Sequence, residues 1–262
     1  MSSYDAIHQA TLGAQSRFAS PLWYRGCAKK SYTLSPSLFR REYSPPDDWM
    51  QVEKNMMAWF RQRGMPFHDR ALSNDWECLF FMQHYRIPTR LLDWSENPYV
   101  ALYFALRTAR DDQLRSGESV IGEDPCVWIL EPSTWNARVL QHISFQGRPL
   151  SPHDQEIKSL SPNTDPGLFN AEPVALFGTH NSNRIVAQRG VFTIFGKSQE
   201  PMERLHERSQ FPHDCLKRIV FPATEVSGLL KSLYTFGMSE SMVFPDLEGL
   251  ALEVRRHFGF GE

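Results

Sequence analysis

The chain changes its periodicity near its middle, and that change sets the fold class. Up to Gly117 its apolar residues recur mainly at helical spacing, whereas from Cys126 to Phe221 they come in short β-branched and aromatic runs. Helices gathered in one part of a chain and strands in another predict an α+β architecture, here N-terminal helices packed on a curved, mainly antiparallel sheet. In the helical part Trp49, Val52, Met56, Trp59 and Phe60 form one stripe over residues 47–64, with Asp47 or Asp48 as N-cap and Gly64 as the stop. Asn74 followed by Glu77 resembles a capping box and opens a second helix over residues 75–85, in which Leu79, Phe80 and Met82 point inward. Ser95 or Asn97 caps a third, with Pro98 in its first turn and an end near Arg115 and Gly117.

Around these, residues 3–18 read as a short helix and residues 22–26 as a strand stopped by Gly26. Residues 87–92 are extended, and further strands are expected at 126–131, 173–177, 184–187, 191–195 and 216–221. The polar stretch 147–167 is long enough to be a lid or a mobile insertion, and is read as an insertion in a single domain spanning 1–262. Thr224 caps a helix over residues 225–236 that Gly237 ends, and Phe244-Pro245-Asp246 leads into a last helix reaching His257.

Composition narrows the function classes. At 262 residues and 41% hydrophobic content the chain fills a sizeable core, so its four scattered cysteines are expected as reduced thiols. Residues 1–15 lack the basic start and apolar centre of a signal peptide, and no apolar run reaches a membrane span, so a soluble cytoplasmic protein without membrane contact is expected. The net charge is −2 and basic residues come only in pairs such as Arg40-Arg41 and Arg255-Arg256, which disfavours broad nucleic-acid binding. Phosphate-loop, dinucleotide-fold, hydrolase-elbow and zinc-helix signatures are all missing from the sequence. His206, His213 and Cys215 match no common zinc spacing and read as surface loop, so no metal is expected. Cys27 beside Arg25 has no neighbouring histidine in sequence and reads as a small buried residue.

The segment from Gln83 to Ser95 concentrates the polar chemistry, with His84, Arg86, Thr89, Arg90 and Asp93 set among apolar anchors. Charges in such a setting need partners. Two readings stand beside each other: Arg90 and Asp93 pair with one another or with a helix end, or they line a site for an anionic ligand. His84, at the end of its helix, fits a helix-terminus or core hydrogen bond as well as a ligand contact.

These residues carry a family resemblance. Tyr24-Arg25-Gly26 resembles the Phe/Tyr-Arg-Gly motif that names the FRG-domain family. Gln83-His84-Tyr85, then Pro88 to Trp94, Asn97-Pro98 and Ala101 to Ala105 resemble its central motif. Asn183-Arg184-Ile185 with Gln188 and Gly190 to Thr193, and Phe244 to Leu250, resemble its C-terminal blocks. Arg86 departs from the pattern, since relatives usually carry glycine there; a long side chain would narrow or charge the mouth of a site.

The order of blocks is also similar to that of ADP-ribosyltransferases, which implies an ADP-ribosyltransferase-like fold with NAD as substrate. The resemblance implies that Arg25 clamps phosphate with Tyr24 and Gly26 about it, that Tyr85 or Tyr103 stacks on a ring, and that Thr89, Arg90, Ser95 and Gln188 complete the nucleotide site. The late strand offers Arg184 and Gln188 where an acid is expected, so Asp93, Glu77 or Glu248 must supply the carboxylate, with His84 a further catalytic candidate. The activity so implied is transfer of ADP-ribose, with a protein as acceptor, or hydrolysis of NAD, in a toxin or antiviral effector. The alternative is a non-catalytic sensor or interaction module that binds a phosphate-bearing ligand or an acidic partner. An RNA-directed enzyme is disfavoured by the charge balance.

Overall fold

Trp23–Cys27 forms β1, and among the described residues every later strand falls into one antiparallel sheet with it. The computed structural model describes residue 5 and residues 21–43, 48–67, 72, 74–164, 170–178, 183–208, 211–212 and 214–260. The other strands are β2 (Leu91–Ser95), β3 (Cys126–Leu130), β4 (Val174–Phe177), β5 (Gly190–Ile194) and β6 (Leu216–Val220). Their order across the sheet is β4-β5-β2-β1-β3-β6. The protein is thus α+β, a six-stranded antiparallel sheet with helices on both faces.

The helices are α1 (Asp48–Gly64), α2 (Asp75–His84), α3 (Pro98–Ser116), α4 (Pro132–Val139), α5 (Asn183–Gln188), α6 (Met202–Arg208), α7 (Val226–Thr235), α8 (Glu240–Val243) and α9 (Leu247–His257). Their ends follow local chemistry. Asn74 Oδ1 accepts the Glu77 amide at 2.9 Å, Asn97 Oδ1 the Tyr99 amide at 2.9 Å, and Asp246 Oδ1 the Gly249 amide at 2.8 Å, each satisfying a donor that a helix start leaves open. Gly117 closes α3 in the left-handed region at φ 70°.

Two cores flank the sheet. Leu79, Phe80 and Met82 of α2 join Trp23, Leu92, Trp94 and Trp135 in one. Val100 to Leu106 of α3 and Leu229 to Leu233 of α7 pack on Tyr24, Val127 and Ile129 in the other. Among the described residues, no helix is long and apolar enough to cross a membrane. All four cysteines are buried free thiols.

Several expectations change. Gly26 lies inside β1 rather than ending it, because α3 crosses so closely that a Cβ there would come within 1.9 Å of the Ala101 carbonyl oxygen. Residues 184–187 belong to helix α5, not to a strand: a run this short carries both periods, and the hydrogen-bonded turn wins. The α1 stripe is rotated, with Trp49, Met50, Glu53 and Met57 buried and Trp59 60% exposed. Thr224 lies within a 3₁₀ turn, Ala223–Glu225, ahead of α7 and does not cap it. Within 147–167, Leu150 bridges Leu176 and the 3₁₀ turn Glu156–Leu160 buries Ile157 and Leu160, so its described part is packed structure. The helix expected over 3–18 falls almost wholly outside the described residues.

Candidate functional site

The sheet is nearly split at its centre. β2 and β5 pair from Leu91–Ile194 to Ser95–Gly190, and β1 and β3 from Trp23–Leu130 to Cys27–Cys126. Between β1 and β2, in contrast, the register holds at Tyr24–Ser95 alone among the described residues. Beyond that pair the strands diverge, and a cleft of about 670 Å³ opens between Arg25, Gly26 and Cys27 on one lip and Asp93, Trp94 and Ser95 on the other. This is the size of an ordinary small-molecule site.

Side chains bridge the split where the backbone ladder stops. Arg25 Nη1 donates to the Asp93 carbonyl oxygen at 2.6 Å and lies 3.9 Å from Asp93 Oδ2. Arg25, with 19% of its side chain exposed, is held in the wall, whereas Asp93, at 57%, faces water. Gln83 Nε2 donates to Asp93 Oδ2 at 2.7 Å, and Thr89 Oγ1 donates to Gln83 Oε1. With its oxygen fixed by Thr89, the Gln83 amide can present only its NH₂ end to the aspartate, so Thr89 orients Asp93 through one intermediary. Ser95 Oγ donates to the Gln188 carbonyl oxygen at 2.6 Å and accepts the Asn97 amide at 3.0 Å, tying β2 to α5 and to the start of α3. Gln188 Nε2 in turn donates to the Val243 carbonyl oxygen at 3.1 Å.

Of the nucleotide-binding and catalytic candidates named from the sequence, Tyr24, Arg25, Gly26, His84, Asp93, Ser95 and Gln188 line this cleft. Glu77, Tyr85, Thr89, Arg90, Tyr103 and Glu248 do not. Arg90 is wholly buried, its Nε 2.9 Å from Glu53 Oε2 and its Nη1 3.0 Å from the Phe195 carbonyl oxygen, with Nη2 on the Leu160 carbonyl oxygen. It lies three positions from Asp93 along an extended segment, which turns the two side chains to opposite faces. Thr89 is buried with its hydroxyl on Gln83 and so acts behind the wall. Tyr103 belongs to the α3 core, and burial pushes its phenol well above its ordinary range. Tyr85 caps α2 and is 60% exposed against Phe81 and His84, outside the cleft. Glu77 is buried in the first turn of α2, and Glu248 is exposed on α9.

Three further cations do line it. Arg40, at the end of the 3₁₀ turn Ser37–Arg40, is held below its ordinary range by burial and then by the Arg25 charge. Arg86 follows α2 at φ 60°, a left-handed backbone that explains why glycine suits this position. Arg184, on α5, lies 4.2 Å from the centroid of the Phe244 ring, and burial and then Arg86 lower its pKa. His84 is lowered by burial first and by Arg184 second, against the opposing pull of Asp246. Cys27 also lines the cleft: a hydrogen bond from Cys126 lowers its thiol, with Arg25 and Arg40 adding to this against the effect of burial, while Cys126 is raised. Arg40 was legible only as one of a basic pair, since nothing in a short irregular turn foretells which way its side chain leans. No group of three or more potential metal ligands occurs among the described residues.

Among the described residues the cleft therefore combines four guanidinium groups with one water-facing carboxylate, an arrangement suited to a ligand carrying several negative charges. No curated protein and no solved structure matches the chain. The model of the FRG domain does, over a stretch that begins just before β1 and stops near the end of α3, taking in both Tyr24-Arg25-Gly26 and the Asp93 lip. Residues 20–114 of this chain match the FRG domain.

Proposed function

We propose that the cleft binds NAD in the manner of an ADP-ribosyltransferase, with Arg25 on the pyrophosphate and Asp93 beside the ribose that is attacked. The observation that carries this reading is the sheet order. β5, β2 and β1 are neighbours, so the three blocks of the resemblance, far apart in the chain, meet at one opening. A guanidinium fork can hold two pyrophosphate oxygens. In the reaction the bond between the nicotinamide nitrogen and C1′ of its ribose breaks, and the electron pair leaves with neutral nicotinamide. The cationic sugar is then taken by water or by an acceptor nucleophile, which releases a proton. A carboxylate near C1′ favours the cationic stage, and Asp93 is the acid at the lips of the cleft, held in place by Gln83.

A second reading has its own support. Asp93 lies between Gln83 and Arg25, both of which draw on its charge, and the β5 side contributes Gln188 and Gly190 rather than an acid. That arrangement suits a module which holds a phosphate-bearing nucleotide without turning it over. Nicotinamide release from NAD by the purified protein, beside Arg25→Ala and Asp93→Asn, separates the two. Turnover lost in both variants supports the enzyme. Binding without release, abolished in Arg25→Ala, supports the sensor. If NAD does not bind at all, the NAD reading of this cleft fails.

A further inference from the structure

The arginines of the cleft fall into two groups. At the β1 side Arg40 is acted on by Arg25, Cys27, Asp93 and Tyr32. Arg184 is acted on instead by Arg86, Asp246 and Glu248. The second group is not neutralised at contact distance: among the described residues neither Arg86 nor Arg184 enters a salt bridge. The Asp246 carboxylate is occupied by the Gly249 amide at the start of α9, and Glu248 is exposed on that helix. Arg184 is fixed against the Phe244 ring, and His84 lines the same end.

Arg184 is half-buried and feels the charge of Arg86, which is exposed at the cleft mouth, so the free cleft holds like charges near each other at a cost. That repulsion is relieved by a bound dianion, whose oxygens match the planar forks. We propose that Arg86 and Arg184 form a second anion subsite, and that the cleft takes a nucleotide carrying a phosphomonoester on its ribose in addition to its pyrophosphate. This rests on the reading of Arg25 as the pyrophosphate clamp. A polynucleotide also brings spaced phosphates, but the net charge of −2 and the lack of a basic stripe leading away from the cleft favour a small ligand.

Calorimetric titration of the full chain with NAD against NADP, and with dephospho-coenzyme A against coenzyme A, tests the subsite and separates a 2′-phosphate from a 3′-phosphate. One phosphorylated member is expected to bind about 10–100-fold more tightly than its unphosphorylated partner, the gain usual for charge-assisted hydrogen bonds. Arg184→Gln and Arg86→Gly should each reduce that ratio to within about 3-fold of unity. Arg86→Gly places glycine in a left-handed turn that favours it, so a lost ratio there cannot be put down to unfolding. Equal affinities within both pairs overturn the subsite while leaving the proposed function standing. A ratio that survives in both variants also overturns it. A ratio that depends on the arginines while NAD itself fails to bind upholds the subsite and refutes the NAD reading. No binding of any of the four, or displacement of the bound nucleotide by a single-stranded oligonucleotide at equal phosphate concentration, overturns it.

Discussion

Replacing Arg90 with methionine separates an arginine that builds the site from one that touches a ligand. The side chain is fully buried, with Nε on Glu53 Oε2 at 2.9 Å, Nη1 on the Phe195 carbonyl oxygen at 3.0 Å and Nη2 on that of Leu160, and Glu53 itself is 1% exposed. Methionine fills much of the volume and removes every donor. Breaking one side of a buried ion pair costs about 3–5 kcal/mol, and a carbonyl left without its donor about 1–3 kcal/mol. These losses overlap, and protonation of Glu53 relieves part of them, so the net destabilisation should be about 5 kcal/mol, comparable with the whole stability of an ordinary domain. Urea unfolding followed by tryptophan fluorescence and far-ultraviolet circular dichroism reads it directly. The double variant with Glu53→Leu should be less damaged than the sum of the two single changes by at least about 1 kcal/mol, because it removes the stranded carboxylate. A loss under about 1 kcal/mol, or strict additivity in the cycle, would refute the buried pair. Normal stability with sharply weakened NAD binding would place Arg90 in the cleft after all.

The same geometry sets other outcomes. Gly26→Ala sets a Cβ 1.9 Å from the Ala101 carbonyl oxygen and 2.7 Å from the Ala105 amide, both helix backbone, so about 3 kcal/mol of stability should be lost, with a matching fall in melting temperature. In the free protein the depressed His84 value means that protonation favours unfolding: the stability it contributes is complete above about pH 6.5 and is lost as pH falls further. A phosphate bound at the Arg86 and Arg184 end reverses that preference, so the affinity for the phosphorylated nucleotide relative to its unphosphorylated partner should depend on pH through His84 between about pH 7.5 and about pH 5.5, by at most about tenfold per unit, and that contribution should vanish in His84→Asn. Iodoacetamide followed by peptide mapping should label Cys27 before the other three cysteines, at a pH below the ordinary thiol midpoint of about 8.5, and NAD should protect it; equal labelling of all four would contradict the cleft position.

Local chemistry is legible in the sequence wherever a single turn decides the outcome. The Asn74 and Asn97 caps, Pro98 in the first turn of α3 and Gly117 at its end all depend on residues within a few positions of one another, and each is found where the sequence places it. The meeting of Arg25 with Asp93 depends on strand order, which no local pattern contains; the ordered blocks of the resemblance stand in for it. Strand parity carries a further signal: side chains three apart in an extended run face opposite ways, which already parts Arg90 from Asp93. The rotation of the α1 stripe has no such signal, because the buried acid Glu53 makes sense only once Arg90 is known to lie beneath it. Thr89 and Gln83 stand in view as polar residues, but their relay to Asp93 needs a helix end and a strand start brought side by side.

The contact at Gly26 has a mechanical meaning. One wall of the opening is a strand and a helix touching main chain to main chain, with no side-chain cushion to compress, so β1 and the start of α3 form a fixed anvil that carries Arg25 at one set height. Adjustment to ligands of different length must come from the facing jaw, where Arg86 stands on a single-residue turn and Arg184 on a helix of less than two turns. Under the proposed function, selection among related nucleotides then falls to that jaw, and changes there should retune ligand choice without disturbing the surface on which the ligand is struck.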